Sequence, residues 1–286
     1  MKYIRLLRPH QYTKNIFTFA PFIFSVEFTF DKFLASFIAF ALFSLLASSI
    51  YIINDYMDIE EDRAHPTKKN RPLASGAVSE KVALILMSFL SIFVGVVSFR
   101  YNTNLFAILA IYFVLNIAYS LKLKHIVIVD VFIIATGFVL RLFAGSIAAD
   151  IKLSMWIIIL TFLLALFLAF AKRRDDVLLS GQGKQTRKNI EGYNLEFVNA
   201  AMVLMSGVIL VSYIMYSVSM APQIKQGGEY LYLTSFFVLL GIIRYLKITF
   251  VNQNSGNPTR ILAKDRFTQI IIICWLTSYI YIVKFL

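Results

Sequence analysis

The sequence has few of the residues that build disulfides, zinc sites and nucleotide-binding loops. It contains one cysteine, Cys274, so no disulfide can form within the chain. Its three histidines, His10, His65 and His125, lack the spacing of metal ligands. No G-x-x-x-x-G-K segment indicates an ATP-driven protein. Disulfide-stapled, zinc-dependent and ATP-driven classes are therefore disfavoured.

Long apolar runs make up most of the chain. Hydrophobic residues account for 59% of 286 positions and the mean hydropathy is +0.73, well above soluble domains. Because a spanning helix needs about 20 mainly apolar residues, we predict an all-α integral membrane protein, a single domain over residues 1–286. Its nine predicted spans cover residues 14–30, 33–53, 82–99, 104–121, 126–146, 153–171, 196–220, 230–251 and 267–285.

Charged residues are scarce and unevenly placed. Only 16 residues are acidic against 28 Lys and Arg, which gives a formal net charge of +12. With nine spans, twenty Lys and Arg residues fall on one side of the membrane and five on the other. Because cytoplasmic loops are enriched in Lys and Arg, we predict a multi-pass protein of the inner or plasma membrane with a cytoplasmic basic face. Such a face attracts anionic lipid headgroups, so the charge requires no nucleic acid partner.

One polar stretch, residues 54–76, interrupts the apolar runs on the basic side. Asp55, Asp58 and Asp62 are spaced i, i+3 and i+7, which places three carboxylates on one face of a helix that should end before Pro66. Carboxylate oxygens are ligands that suit Mg2+ together with substrate phosphates. Asn54 precedes the aspartates, and basic residues suited to phosphate follow them: Arg63, Lys68 and Arg71. An ordinary charged loop is the alternative interpretation.

Further candidate residues lie near the start of the chain and in the middle of the sequence. Lys14 and Asn15 could bind phosphate or anchor the chain at the membrane surface. A short loop after the fourth predicted span contributes Tyr119 and Lys122. The fifth predicted span carries Asp130 and Arg141 on one helical face. Ionisable residues within a span commonly line a polar cavity, although each could instead neutralise a partner on a neighbouring helix.

A second polar stretch follows the sixth predicted span. It combines both signs of charge with Gly181 and Gly183, which favour a flexible loop. We interpret it as a second phosphate or metal centre, with a basic juxtamembrane loop as the alternative. Its candidate residues are Lys172, Arg173, Asp176, Arg187, Lys188 and Tyr193.

The aspartate spacing resembles a known family motif. The pattern N-D-x-x-D-x-x-x-D from Asn54 to Asp62, with the basic residues after it, is similar to the first aspartate-rich motif of the UbiA-type intramembrane prenyltransferase superfamily. Within it, the chain resembles the decaprenyl-phosphate phosphoribosyltransferase branch. Three patterns carry that resemblance: R-P-x-Q-x-x-K-N at Arg8 to Asn15, Y-S-x-x-L-K-like residues at Tyr119 to Lys122, and K-R followed by R-K and Y from Lys172 to Tyr193.

The resemblance implies a fold and a reaction. The fold would place nine transmembrane helices around a central cavity open to the cytoplasmic face. The reaction would be Mg2+-dependent transfer of 5-phosphoribose from phosphoribosyl diphosphate to a polyprenyl phosphate, a step of cell envelope biosynthesis. Asp55, Asp58 and Asp62 would hold Mg2+ and the diphosphate, and the other candidates would bind substrate.

Two other functions stay open from the sequence. Prenyl transfer from a polyprenyl diphosphate to an aromatic or other polar acceptor would use the same aspartates. Against it, the second stretch has the adjacent pair Asp175 and Asp176 where typical prenyl-transferring members have D-x-x-x-D. A non-catalytic lipid carrier or transporter is disfavoured because the carboxylates cluster at a membrane end. The sequence leaves open whether several copies assemble.

Overall fold

The computed structural model is helical throughout the part of the chain that it describes. That part comprises residues 2–25, 28–64, 68–182, 188–224, 227–253, 261 and 264–285, and it contains no strand. The chain forms two compact units, one of Met1–Lys124 with Gly137–Leu153 and the other of His125–Thr136 with Ser154–Leu286. Each unit is described separately, and the single domain over residues 1–286 stays a prediction.

The first unit is built on one long helix and the shorter helices that precede and follow it. Its elements are α1 (Lys2–Leu7), α2 (Ala20–Phe24), α3 (Phe30–Met57), α4 (Ile59–Ala64), α5 (Glu80–Tyr101), α6 (Thr103–Leu121) and the carboxyl-terminal part of α7 (Val129–Ala149). Its core lies where α3 packs on α5 and α6, with Phe43, Leu46, Val94, Leu105 and Leu109 buried there.

The second unit contains the amino-terminal part of α7 and the remaining long helices. These are α8 (Met155–Gly181), α9 (Leu195–Met220), α10 (Ser235–Phe250), preceded by the 3-10 segment Gly228–Thr234, and α11 (Arg266–Phe285). The α8 and α9 helices form the most extensive helix pair of the unit. Ser154 and Asn194 cap these two helices by accepting hydrogen bonds from Trp156 N and Phe197 N.

Eight helices among the described residues are long and apolar enough to cross a membrane, and they coincide with the last eight predicted spans. The chain is therefore an all-helical, multi-pass membrane protein. Two of the helices extend beyond the apolar runs in which they begin: α3 ends at Met57 and α8 ends at Gly181. With 28 residues, α3 is about 42 Å long, which exceeds a hydrocarbon core of about 30 Å. We therefore expect its polar end, including Asp55, to extend into the headgroup region.

The first predicted span, residues 14–30, does not form one long helix within the described residues. Pro9–Phe19 is a 3-10 segment and only Ala20–Phe24 is α-helical. The backbone of Arg8 is left-handed at φ 53°, and prolines lie at the start of both pieces, where a missing N–H does no harm. Nine transmembrane helices are thus not confirmed, and neither is the cytoplasmic opening.

The residues of that segment nevertheless run antiparallel along α3. Tyr12 Oη lies 2.8 Å from Ser48 Oγ and Asn15 Nδ2 donates to Ser44 Oγ at 3.0 Å. Further along, the ring of Phe19 lies 5.8 Å from that of Phe40. Eleven residues of 3-10 helix rise about 22 Å, so the segment lies against much of α3 and brings Arg8 to the end that carries the aspartates.

Candidate functional site

The aspartates lie where α3 ends, but they do not share one uninterrupted helix. The backbone of Asp58 leaves the helical region at φ −98° and ψ 13°, and α4 begins at Ile59. Asp55 and Asp62 are both only 1% exposed, whereas the side chain of Asp58 is 21% exposed. The helical spacing predicted that all three carboxylates lie on one face. The break in the helix at Asp58 instead separates the Asp58 carboxylate from those of Asp55 and Asp62.

Two arginines neutralise the buried aspartates. Arg71 Nη1 donates to Asp55 Oδ1 at 3.1 Å and to Asp62 Oδ2 at 2.5 Å. Arg8 Nη2 donates to the same Asp55 Oδ1, and its guanidinium lies 5.4 Å from the ring centre of Tyr51. Arg71 was among the predicted site residues. Arg8 was not, although it begins the R-P-x-Q-x-x-K-N pattern, because only the fold brings residue 8 to residue 55.

Asp58 has a separate partner. Lys124 Nζ donates to Asp58 Oδ1 at 2.9 Å, whereas the predicted candidate Lys122 is exposed and Tyr119 is half-buried. A signal for Lys124 was present in the sequence, since the six-residue pattern Y-S-x-x-L-K counted from Tyr119 places its lysine at 124. The structure therefore assigns the aspartate contact to Lys124.

The other predicted residues of the first polar stretch lie at its edge. Lys68 Nζ is 4.0 Å from Asp62 Oδ1. Arg63 pairs with Glu60 at 2.6 Å and donates to the carbonyl oxygen of Ala74, so it turns away from the aspartates. Asn54 is half-buried, and its carbonyl accepts from the Asp58 N–H at 3.0 Å. Pro66 lies outside the described residues, and α4 ends at Ala64.

The carboxylate pair Asp55 and Asp62 fits a divalent cation. One guanidinium nitrogen contacts both carboxylates, so they already converge on one positive charge. Asp55 Oδ2 is buried and accepts no hydrogen bond in the described structure. No group of three or more His, Cys, Asp or Glu among the described residues is arranged to hold a metal. Two carboxylates suffice for Mg2+, which commonly uses one or two together with substrate phosphates.

Arg141 forms a second buried polar group in the first unit. It is 5% exposed, and it donates to Asn15 Oδ1 at 2.8 Å, to Tyr112 Oη at 2.9 Å and to the Gly137 carbonyl oxygen at 2.7 Å. The rings of Phe43, Tyr112 and Phe138 lie within 5.3 Å of its guanidinium carbon. Two predicted site residues, Arg141 and Asn15, thus contact each other. Lys14, which precedes Asn15, is exposed.

Asp130 is the centre of a hydrogen-bonded cluster in the second unit, which we call the Asp130 cluster: Asp130, Arg173, Asn189 and Tyr193. The carboxylate is fully buried. Its Oδ2 accepts from Arg173 Nε at 2.7 Å and from Asn189 Nδ2 at 2.9 Å, and its Oδ1 accepts from Tyr193 Oη at 2.6 Å. The structure shows the ion pair with Arg173 on α8, and the role of Asp130 in a polar cavity or as a substrate contact stays a prediction. Asn189 was missed, because nothing in its sequence context marks it.

Strained and crowded backbone surrounds this cluster. Ile128, a β-branched residue, has a left-handed backbone at φ 71°, and its N–H donates to Tyr193 Oη at 2.7 Å. A Cβ at Gly192 would lie 2.3 Å from Val127 Cγ2, so any other residue here would require the Val127 side chain to shift. Burial and the hydrogen bond to Asp130 raise the pKa of the Tyr193 hydroxyl above its usual range, which keeps it protonated and able to donate.

The remaining residues of the second polar stretch are placed unevenly. Arg173 also donates to Asp176 Oδ2 at 3.0 Å, so Asp176 is an ion-pair partner of the cluster, while Lys172 is exposed. These residues lie on α8, which continues beyond the predicted exit to Gly181. Lys188 begins the 3-10 segment Lys188–Gly192. Gly183 and Arg187 lie outside the described residues.

Comparison with known proteins gives a family and close relatives. The model of the UbiA prenyltransferase family matches residues 15–271. The decaprenyl-phosphate phosphoribosyltransferase of Mycolicibacterium smegmatis is 33% identical, with 96% of this chain and 89% of that protein covered. The protein of the same name from Corynebacterium glutamicum is 29% identical, with 95% and 83% covered.

A solved structure shares the fold. The UbiA homologue from Archaeoglobus fulgidus bound to DMAPP and Mg2+ has a TM-score of 0.71 and covers 100% of both chains at 17% identity. At that identity the likeness concerns the fold alone.

Proposed function

The chain belongs to the UbiA prenyltransferase family, and from that premise we propose that it transfers 5-phosphoribose from phosphoribosyl diphosphate to a polyprenyl phosphate and releases diphosphate. Relatives named for a decaprenyl-phosphate phosphoribosyltransferase activity match nearly the whole chain. The protein is on this proposal a membrane-embedded glycosyltransferase. Its substrates are one soluble sugar phosphate and one lipid phosphate.

The observation that carries the proposal is the paired carboxylates Asp55 and Asp62 with their arginines. Asp55 and Asp62 would hold Mg2+. Asn54, which directly precedes Asp55 in the sequence, would contact the substrate beside them. Bound Mg2+ would supply Lewis-acid stabilisation of the charge on the departing diphosphate. Arg8 and Arg71, now on Asp55, are donors that can turn to phosphate oxygens once a cation neutralises the carboxylates.

The remaining residues of the first unit position this group. Lys124 fixes Asp58 at the end of α3, and Lys68 adds positive charge beside Asp62. The lipid phosphate is already ionised near neutral pH, so its attack on ribose C1 needs no dedicated base. The chain's contribution is therefore to orient the diphosphate and to stabilise charge as the bond to C1 breaks.

The second polar stretch is assigned to the sugar's 5-phosphate. Its cations Lys172, Arg187 and Lys188 would contact that phosphate, and Arg187 lies outside the described residues. Asp130 and Asp176 are both paired with Arg173, which disfavours their use as ligands of a second metal. The roles of Tyr119 and Lys122 as substrate contacts remain part of the proposal.

The site is proposed to face the cytoplasm of a plasma or inner membrane. Soluble phosphoribosyl diphosphate is available there, and the excess of Lys and Arg lies on the same side as residues 54–76.

Prenyl transfer from a polyprenyl diphosphate to a polar acceptor is the second candidate. The matched family is described as a prenyltransferase family, which favours it, since the first polar stretch could serve either diphosphate. The two reactions differ in which substrate carries the diphosphate. That difference makes them separable in one assay.

The test is to incubate the purified protein with Mg2+, polyprenyl phosphate and phosphoribosyl diphosphate labelled in the ribose. We expect label in the lipid fraction with wild type, none after chelation of Mg2+, and about 100-fold slower labelling with the Asp55→Asn variant. A parallel reaction contains polyprenyl diphosphate and an aromatic acceptor. Prenyl transfer in that reaction, without labelled lipid in the first, would overturn the proposal.

A further inference from the structure

Arg141 is a buried cation of the first unit, and no carboxylate among the described residues pairs with it. It is 5% exposed. Its three hydrogen-bond acceptors are uncharged: the amide oxygen of Asn15, the hydroxyl of Tyr112 and the carbonyl oxygen of Gly137. A buried charge without a counter-charge is costly, and ionisable residues within a span are commonly functional. The cost indicates a role for this particular set of donors.

The guanidinium of Arg141 is held in one orientation. Its Nε, Nη1 and Nη2 each donate to a different acceptor, over 2.8, 2.7 and 2.9 Å. The ring centres of Phe43, Tyr112 and Phe138 lie 4.7, 5.0 and 5.3 Å from its guanidinium carbon. Because arginine presents its donors as a rigid planar fork, these contacts leave it little freedom to turn. Its Nε–H therefore points at one fixed place, the amide oxygen of Asn15.

Asn15 connects the 3-10 segment Pro9–Phe19, which we call the amino-terminal segment, to two helices. Its Nδ2 donates to Ser44 Oγ on α3 at 3.0 Å, and its Oδ1 accepts from Arg141 Nε on α7. Asn15 is 1% exposed, so both polar atoms of the amide are occupied by the protein itself. The side chain therefore serves as an internal link and offers no atom to a phosphate.

The amino-terminal segment depends on such contacts for its position. It has eleven residues, whereas most 3-10 helices end after three or four because their hydrogen bonds are poorly aligned. Its two buried residues, Asn15 and Thr18, both meet α7. Asn15 does so through Arg141, and the carbonyl oxygen of Thr18 lies 1.8 Å from where a Cβ of Gly145 would be. The α7 helix therefore helps to set where the segment lies along α3.

Arg8 directly precedes this segment, so its place depends on where the segment lies. Its Nη2 donates to Asp55 Oδ1. Arg8 is seven residues before Asn15, which is about 14 Å along a 3-10 helix. A shift of about 1 Å is enough to take a hydrogen bond out of range. The segment thus has the contact with Arg141 towards one end and the contact with Asp55 at the other.

We propose that Arg141 and Asn15 are positioning residues of the reaction, whose contact sets the place of the amino-terminal segment and thereby holds Arg8 at Asp55. Neither residue contacts the substrate, and both act through Arg8. The inference rests on the proposed function, because it takes Arg8 as a donor to substrate phosphate. It assigns different roles to the first and last residues of the R-P-x-Q-x-x-K-N pattern: Arg8 acts at the aspartates, and Asn15 anchors the segment.

A double-mutant cycle tests whether Arg141 acts through Arg8. We compare kcat/KM for phosphoribosyl diphosphate in wild type, Arg8→Ala, Arg141→Gln and the double variant. We expect Arg141→Gln to lower kcat/KM by about 10- to 100-fold, the usual cost of a misplacement of about 1 Å. When residue 8 is already alanine, the same substitution should cost less than about 3-fold. An equal factor in both backgrounds, as a purely structural role would give, or no loss at all, would overturn the proposal.

Asn15→Ala breaks the same contact from its other side and leaves Arg141 with Tyr112 and Gly137. It should show the same loss and the same dependence on Arg8, which keeps the test decisive if Arg141→Gln does not fold. A loss independent of Arg8 would mean that Asn15 acts on its own, against the proposal. Arg100→Gln is the matched control, because Arg100 is exposed in the last turn of α5. It should change kcat/KM in neither background.

Arg141→Lys separates position from charge. Lysine keeps the positive charge but lacks the planar fork that donates to three acceptors at once. We expect Arg141→Lys to lose about as much activity as Arg141→Gln. Nearly wild-type activity of Arg141→Lys together with a large loss in Arg141→Gln would mean that the charge itself matters, and the positioning role would be wrong.

A binding measurement distinguishes failure of this inference from failure of the proposed reaction. Inorganic diphosphate is titrated by calorimetry, in the presence of Mg2+, into the four proteins of the cycle. If no phosphoribosyl transfer occurs but Arg141→Gln weakens diphosphate binding only when Arg8 is present, the proposed reaction fails and the positioning role stands. If transfer occurs and the two substitutions act independently in both turnover and binding, the positioning role fails alone.

Discussion

Arginine side chains hold the buried carboxylates of both units. Asp55 is paired with Arg8 and Arg71, and Asp130 with Arg173. A carboxylate this deeply buried is costly unless it is paired and hydrogen-bonded. The two carboxylates differ in their remaining acceptor atoms: Asp55 Oδ2 accepts no hydrogen bond from the described residues, whereas both oxygens of Asp130 accept at least one. Asp55 is therefore better suited to binding a metal than Asp130.

The three aspartates of the first polar stretch should therefore differ in function. We expect Asp55→Asn and Asp62→Asn to lower kcat/KM by about 100-fold or more, since each removes charge that stabilises the leaving group. Asp58→Asn should cost about 10-fold, because Asp58 binds Lys124 and acts by positioning. Activity of each variant is measured across a Mg2+ titration, and only Asp55→Asn and Asp62→Asn should require more Mg2+.

The control for that series is Asp31→Asn at the exposed start of α3, which should behave as wild type. A loss with Asp58→Asn as large as with Asp55→Asn, and the same shift in Mg2+ requirement, would mean that all three carboxylates converge on the metal as the sequence predicted.

Residues close in sequence could be predicted as a site, and residues brought in by the fold could not. In the first polar stretch, the sequence alone identified the two buried aspartates, Asp55 and Asp62. It also identified Arg71, which lies sixteen positions after Asp55 and binds it. Arg8 and Lys124 are 47 and 66 positions from their aspartate partners. A single sequence gives no distance between such positions.

At the scale of elements, one close approach fixes the amino-terminal segment. A Cβ at Gly145 in α7 would lie 1.8 Å from the carbonyl oxygen of Thr18. Backbone cannot yield as a flexible side chain does, so Gly145→Ala should push residues 9–19 outward and cost about 1–3 kcal/mol of stability. Because the same segment carries Arg8, activity should also fall. Thermal unfolding in detergent and kcat/KM test this together.

Gly207→Ala is the matched control for Gly145→Ala. A Cβ at Gly207 in α9 meets no atom within 4 Å, so alanine should be neutral or stabilising by up to about 1 kcal/mol through helix propensity. If both substitutions behaved alike, the approach of α7 to residue 18 would have no energetic importance.

Asp265 caps α11 and ties it to α10. Its Oδ2 accepts from Thr268 N at 2.9 Å, and Arg244 binds both carboxylate oxygens, at 3.0 and 2.6 Å. Asp265→Ala should cost about 1 kcal/mol for the cap, and Asp265→Asn should keep the cap while losing the ion pair. Both side chains are partly exposed, at 25% for Arg244 and 18% for Asp265, so solvent screening keeps the contribution of the ion pair small.

The ion pair predicts a pH dependence. Hydrogen bonds from Arg244 hold the pKa of Asp265 well below its usual range. A carboxyl whose folded-state pKa is depressed stabilises the fold above its unfolded pKa of about 3.9, and that contribution is lost as pH falls towards the folded value. The stability difference between wild type and Asp265→Asn should thus be constant above about pH 5 and shrink below about pH 4. A difference independent of pH would contradict this.

Element positions followed from the sequence where apolar length alone decides them. Eight predicted spans became helices because a run of about 20 apolar residues in a membrane has no other way to satisfy its backbone. The segment 9–24 differs because Pro9, Pro21 and the left-handed Arg8 restrict its backbone, while buried contacts of Asn15 and Tyr12 with α3 stabilise a tighter helix. Those contacts are tertiary and leave no periodic pattern.

At the scale of the whole molecule, the distribution of charged and apolar residues predicts how the protein is oriented in the membrane. The described helices are apolar enough to span, and most of the +12 net charge comes from loops on the side of residues 54–76. Of the two sides, that one should face the cytoplasm. The α5 helix provides a local test, since its 22 residues reach about 33 Å and separate Ser75 from Asn104 by the full membrane thickness.

Single-cysteine labelling checks this orientation. Cys274 is exposed on α11, so it is first replaced by serine, and Ser75→Cys or Asn104→Cys is then introduced at an exposed position. In intact cells stripped of their outer layers, a membrane-impermeant maleimide should label Asn104→Cys and leave Ser75→Cys unlabelled until the membrane is permeabilised. The cysteine-free protein controls for background. The reverse pattern would place Asp55, Asp62 and their arginines outside the cell, where phosphoribosyl diphosphate is not supplied, and the proposed reaction would lose its donor.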